Sequence, residues 1–495
     1  MSVDDPLLAT LERHWGYPGF RPMQERIIRS LLSGHDLAAV MPTGGGKSLC
    51  YQLPAVVNGG TAVVISPLIA LMQDQAAHLQ TAGIPAAFLN SSLSWQEQSR
   101  ILGKARKGAY RLIYLSPERL MRDDTAQWLV DLPLSFFAVD EAHCISEWGH
   151  EFRPEYRRIG RLRDIFPDKP IAAFTASATQ QVRHDILRQL RLRDPHRYIA
   201  SFHRPNLQYT VRLTDSKAQI RALTDAIAEH TEGSIIVYAG TIARVEEVAR
   251  TLNARGIPTG SYHGQMDADQ RQANQDDWMA GDTRVMVGTL AFGLGINKPD
   301  VRAVVHLSLP KSLEQYYQES GRAGRDGDPA SCYLFWQKRD AGLIAHFIDE
   351  MNDAAERQNA WARYRVIRQF AESDRCRHRQ ICEYFGEVPK WSSCGACDVC
   401  GGVTFRTSEK PVKQPSRTVR EATQPDEALL ARLREWRKAT AKLEHVPAYY
   451  VLLDATLSEL ARLRPGDEAE LAEVKGIGPR KLARYGADVL RILRA

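Results

Sequence analysis

From residue 35 to 335, short β-branched runs alternate with helix-like stretches, and this alternation constrains the fold more than any other property of the chain. The runs include 62–65, 111–115, 171–174, 234–238, 285–288 and 303–307. Such a pattern reads as βαβ units building a parallel sheet. A break falls at Phe202-His203-Arg204-Pro205-Asn206, after which a second set of strands begins. The expectation is therefore two tandem parallel-sheet α/β domains, 1–203 and 204–338. Residues 339–402 look helical and lead into a cysteine cluster. Residues 403–424 are poor in large apolar side chains and rich in Lys, Arg, Ser, Thr and Pro, which reads as a linker. Helical periodicity returns from 425, with Leu429, Leu430, Leu433 and Trp436 on one face, so 425–495 reads as a small all-helical domain.

A chain of 495 residues has room for about three domains. Its 44% hydrophobic and 25% charged content is ordinary for soluble globular protein. No stretch approaches the roughly twenty apolar residues of a membrane span, and the acidic N-terminus lacks a secretory apolar region. An intracellular, cytoplasmic protein is expected. The net charge of +6 is only a weak pull toward an acidic partner.

Open α/β sheets place ligands just past strand ends, and the motifs of this chain sit there. The apolar run 135–139 ends in Asp140-Glu141-Ala142-His143. One carboxylate, Asp140, can reach a magnesium ion, and the other, Glu141, can orient or deprotonate a water. Upstream, Thr43-Gly44-Gly45-Gly46-Lys47-Ser48 lets backbone N–H groups close on phosphates, with Lys47 on the β/γ-phosphates and Ser48 on Mg²⁺. Met41 stands where the strict phosphate-loop pattern has its first glycine. In the second α/β domain, Arg322 and Arg325 lie in Gly321-Arg322-Ala323-Gly324-Arg325. Guanidinium groups suit the charge on a transferring phosphoryl group, and arrival from the second domain would make hydrolysis depend on closure. Ahead of the loop, Gln24 could read the adenine edge and Tyr17 could stack on its face.

Past the acid pair come Trp148, His150, Phe152 and Arg153, aromatics interleaved with basic groups, which suits base stacking with phosphate contact. Of eight cysteines, Cys376, Cys382, Cys394, Cys397 and Cys400 crowd together. Cys376, Cys394, Cys397 and Cys400 supply a closed tetrahedral shell for a structural Zn²⁺, and Cys382, six residues along a helix from Cys376, faces elsewhere. Near the C-terminus Gly476-Ile477-Gly478-Pro479 opens a helix flanked by Lys475, Arg480 and Lys481. It offers a phosphate site, or else a capped turn with solvated charges.

The order of 20–24, 43–48, 66–75, 140–143, 177–179, 291–299 and 318–327 resembles the RecQ family of superfamily 2 DNA helicases, with a segment at 425–495 similar to the family's HRDC domain. The resemblance implies two RecA-like domains and a 3′-to-5′ translocase on single-stranded DNA, driven by ATP with Mg²⁺ and serving repair and recombination. It implies an adenine pocket at Tyr17, Arg21 and Gln24, a finger at Arg325 rather than Arg322, and a loop at 148–153 that couples DNA binding to hydrolysis. Single-stranded and forked DNA, and single-strand-binding or repair proteins at the nucleoid, are the implied partners. Many relatives carry a winged helix between the zinc module and HRDC. The interval 401–424 is too short for a domain of about fifty residues or more, so an alternative is a translocase or annealing remodeller that unwinds little. An RNA helicase is a further reading, and a pure binding module is the weakest.

Overall fold

The computed structural model describes residues 5–494 except 91–92, 121, 150–151, 294–297, 402–425, 445, 447, 473 and 475, and except the side chains of 123, 124, 469, 479 and 480. Its first sheet contains β1 (Leu37–Val40), β2 (Thr61–Ile65), β3 (Ala86–Leu89), β4 (Leu112–Leu115), β5 (Leu134–Val139), β6 (Ile171–Thr175) and β7 (His196–Ile199). The strands run parallel in the order β3-β4-β2-β5-β6-β1-β7. The second sheet contains β8 (Leu207–Leu213), β9 (Ser234–Tyr238), β10 (Thr259–Tyr262), β11 (Val285–Gly288), β12 (Val301–His306) and β13 (Ala330–Trp336). It too is parallel, in the order β10-β11-β9-β12-β13-β8. The six sequence runs fall on β2, β4, β6, β9, β11 and β12.

Every residue of β2, β4, β6, β9 and β13 is buried. That is the signature of parallel strands covered on both faces by helices, which read as unbroken apolar runs. The topology also builds the site. β5, β6 and β1 are neighbours, so the phosphate loop, the acid pair and Ser177 leave the same sheet edge side by side.

The segment after β13 forms helices Lys338–Asp349, Ala354–Glu372 and Arg377–Tyr384. Past them the cysteine loop lies along β8: Tyr209 pairs with Cys397, donating its N–H to Ala396 O (3.1 Å) and accepting from Asp398 N (2.9 Å). An otherwise open sheet edge is thereby covered. The C-terminal unit is helical, at Glu427–Leu443, Ala448–Val451, Asp454–Leu463, Glu468–Ala472 and Pro479–Arg494. Leu429, Leu430 and Leu433 are buried in its core, and Trp436 packs against it. The linker expected at 403–424, and with it the interval of the winged helix, lies outside the described residues. No helix among the described residues is long and apolar enough to cross a membrane.

Candidate ATP site, nucleic-acid face and zinc cluster

β1 ends at Val40, and the chain turns through Thr43–Gly46 into the helix Lys47–Val57. Gly44 and Gly46 take φ of +80° and +77°, which only glycine adopts at little cost. Lys47 donates to Met41 O at 3.1 Å, so the residue standing in the first glycine's place serves through its carbonyl. Ser48 follows in the first turn of the helix. Burial lowers the Lys47 pKa, opposed by the charges of Glu141 and Asp140.

Asp140 follows β5, and its backbone N–H reaches Ile65 O at 2.8 Å. Burial first, then the Glu141 charge, push its carboxyl up against the pull of Lys47. Buried Asp140 and partly exposed Glu141 beside one lysine fit a divalent cation, which would supply further positive charge. Tyr156 donates to Asp140 O at 3.1 Å and fixes the turn. Glu141 adopts φ +46°, a left-handed conformation uncommon for a non-glycine residue. Its carboxylate lies 3.2 Å from His143 Nδ1, which is 2.9 Å from Thr175 Oγ1. Thr175 bonds Ser177 in both directions, and Ser177 Oγ accepts from Gln318 Nε2 of the second domain at 2.8 Å. A chain of polar contacts thus runs from Glu141 to Gln318 on the far side of the cleft.

Both arginines occupy that far side. A Cβ built on Gly44 would stand 3.3 Å from Arg325 Cγ, so the arginine lies directly on the phosphate loop. Burial, then the Arg322 charge, pull the Arg325 pKa down to about 9. A guanidinium does not give up its proton in proteins, so Arg325 stands as a buried cation against the phosphate loop, where a phosphate would be favoured. Arg322 instead donates to Gly293 O within its own domain.

Tyr17 is half exposed, as a stacking surface must be. Arg21 donates to Gly44 O, and Gln24 is buried with both amide ends engaged: Oε1 accepts Arg21 N–H (2.8 Å) and Nε2 donates to Gly46 O (3.1 Å). Reading an adenine edge therefore requires Gln24 to exchange these bonds, because its pocket brings the amide to the loop backbone first.

On the loop after the acids, Trp148 is half exposed and its N–H donates to Ser146 Oγ, itself bonded to Asp185 at 2.7 Å. Arg153 donates to Pro67 O at 3.3 Å. Arg157 lies over the Phe152 ring at 5.1 Å. His150 lies outside the described residues, as do Lys475 and the Arg480 side chain. Lys481 is partly buried, and burial lowers its pKa.

The sulfur atoms of Cys376, Cys394, Cys397 and Cys400 all lie within 4.8 Å of one another. Four Zn–S bonds of about 2.3 Å in a tetrahedron fit that spacing. Cys382 is fully buried apart from the group.

Sequence reasoning missed the docking of the last domain. Lys298 Nζ, buried beside the second sheet, lies 3.6 Å from Asp454, which also accepts from buried Arg437 at 3.0 Å. Lys438 pairs with Asp282 at 2.8 Å, and Tyr450 stacks on His78 of the first domain at 4.5 Å. No periodicity announces such pairs, since surface and interface charges look alike in sequence.

Chains that divide one nucleotide site between two such sheets are motors of the helicase class. Family comparison agrees, matching a DEAD/DEAH box helicase to 21–185 and a helicase conserved C-terminal domain to 218–327. The RecQ zinc-binding family matches 338–401 and the HRDC domain 426–493. An ATP-dependent DNA helicase RecQ from Haemophilus influenzae is 34% identical over 98% of this chain and 95% of its own. The Bacillus subtilis RecQ is 32% identical over 98% of each. The chain belongs to the RecQ family of ATP-dependent DNA helicases. Its cofactors are accordingly ATP with Mg²⁺, and Zn²⁺ at the four cysteines. Among solved structures, Saccharomyces cerevisiae Dbp5 bound to RNA and ADP BeF3 shares the fold, with TM-score 0.55 and 17% identity over 74% of this chain and 98% of that one.

Proposed function

We propose that the protein is an ATP-driven 3′-to-5′ motor on single-stranded DNA that separates duplex strands ahead of it. The observation that carries this reading is the division of one phosphate site between two domains, with Arg325 of the second lying on the Gly44 loop of the first. Bound ATP–Mg²⁺ supplies the phosphoryl chemistry. Thr43, Gly44, Gly46 and Lys47 hold phosphate, Ser48 and Asp140 hold the metal, and Glu141 takes a proton from water. Tyr17 and Arg21 flank the base, with Gln24 once its amide is released. Arg325 completes the charge only when the domains close, so binding draws them together and product release frees them. Trp148, His150, Phe152 and Arg153 receive the strand, and their loop begins three residues after the 140–145 turn, so DNA contact reaches the metal side of the site. Single-stranded and forked DNA as substrate supports a cytoplasmic protein working at the nucleoid, with single-strand-binding or repair proteins as partners.

The test is strand displacement on a 3′-tailed duplex beside single-strand-stimulated ATPase, with wild type and Lys47→Ala. Displacement that needs ATP, the 3′ tail and Lys47 is the expected result. ATPase without displacement would replace it with a translocase that does not open duplex, and DNA-stimulated phosphate release by Lys47→Ala would overturn the site itself.

A further inference from the structure

The segment joining the two sheets is more than a tether. Arg204 sits between β7 and β8, in the segment that joins the two sheets. Its guanidinium donates to Thr43 O of the phosphate loop at 2.9 Å, and from its other nitrogen to Gly324 O at 2.9 Å and Ala323 O at 3.2 Å. One planar fork therefore grips the backbones of both catalytic loops. Asn206 reinforces the finger side, donating to Gly324 O (2.9 Å) and Asp328 O (3.0 Å). The two loops meet closely, since a Cβ on Gly321 would lie 3.4 Å from Thr43 Cβ.

The segment before Arg204 is held from the zinc module. Glu387 accepts from Ser201 Oγ at 2.6 Å and from Phe202 N–H at 2.7 Å. Phe202 stacks on Phe385 at 4.4 Å, and Arg183 of the first domain donates to Phe385 O at 3.0 Å.

We propose that Arg204 is a positioning residue for ATP hydrolysis, registering the finger loop on the phosphate loop, and that Glu387 fixes the segment that carries it. This rests on the assignment of Arg325 as the finger. Because a misplacement of about 1 Å can cost on the order of 10²-fold in rate, the effect falls on turnover rather than on nucleotide binding. Lysine cannot substitute, since a point charge lacks the fork that spans carbonyls on two loops.

The experiment is single-strand-saturated ATPase on the full zinc-loaded chain for Arg204→Ala, Arg204→Lys, Arg325→Ala, the Arg204→Ala/Arg325→Ala double variant and Glu387→Gln. Arg204→Ala is expected to lower kcat tenfold or more with KM for ATP within twofold, and Arg204→Lys to behave alike. In the Arg325→Ala background the further loss should be under twofold, because the route is already cut. Equal fold losses in both backgrounds, or rescue by lysine, would overturn the positioning role. So would full turnover by Arg204→Ala beside an inactive Arg325→Ala, which leaves the finger standing. Full turnover by Arg325→Ala overturns the finger and this route together. Glu387→Gln should lower kcat severalfold with metal content unchanged; unchanged kcat removes the zinc module from the proposal.

Discussion

Arg325, carried by the second domain, lies 3.3 Å by its Cγ from where a Cβ of Gly44 in the first would stand. Arg322, three residues earlier, turns its guanidinium to Gly293 O. The two are not equivalent. Arg325→Ala is expected to lower DNA-stimulated kcat by about 10³–10⁵-fold, the range for an arginine finger, with ATP affinity little changed. Arg322→Ala should cost less. Steady-state ATPase with nucleotide-binding fluorescence checks this, and the reverse ranking would move the finger to Arg322.

The chain of polar contacts from Glu141 through His143, Thr175 and Ser177 to Gln318 crosses the domain boundary by one hydrogen bond of 2.8 Å. Glu141→Gln should keep ATP binding and abolish turnover. Gln318→Ala should lower kcat several-fold and leave Lys47-dependent binding intact. If Gln318→Ala also weakened nucleotide binding to the same degree, the bond would be holding the loop and not coupling the domains.

Zinc removal should be felt in the second sheet. The cysteine loop pairs with Tyr209 on edge strand β8, and Asp398 bridges buried Arg377 (2.9 Å) to Val211 N–H (3.0 Å). Structural zinc contributes on the order of 10 kcal/mol in small domains. Cys397→Ser is expected to lose the metal and to lower the melting temperature of the second domain. Metal analysis with calorimetry decides it, and equal zinc in both proteins would refute the four-cysteine site.

Asp74, on the helix Ile69–Thr81, has an inaccessible Oδ2 without a hydrogen-bond partner among the described residues, and burial pushes its pKa to about 6. A carboxyl raised in the folded state favours folding while protonated in both states. That stability is present below about pH 4 and is lost as pH rises to about 6. Asp74→Asn should therefore stabilise the protein at pH 8 by at most about 3 kcal/mol, and by less where water screens this partly exposed residue. The gain should vanish near pH 4. A pH-independent difference in denaturant midpoints would rule out titration of Asp74 as its cause.

Local chemistry made much of this legible. Glycines at 44 and 46, an apolar strand closing on two acids and four cysteines at metal spacing each declare their role through residue type and short-range order. Gln24 marks the limit. Its amide was readable as a base reader, yet the structure spends both ends on Arg21 N–H and Gly46 O, because what a side chain meets first depends on how two distant turns pack.

Period, turn chemistry and ligand spacing are local, so the two parallel sheets, the loops at their strand ends and the zinc cluster can be read from residue order. Which arginine lies on the phosphate loop, the meeting of Ser177 with Gln318, the grip of Arg204 on both loops and the burial of Lys298 against Asp454 emerge from packing. Each of these joins residues far apart in the chain. Their partners are fixed by where whole domains come to rest, and no local pattern encodes that.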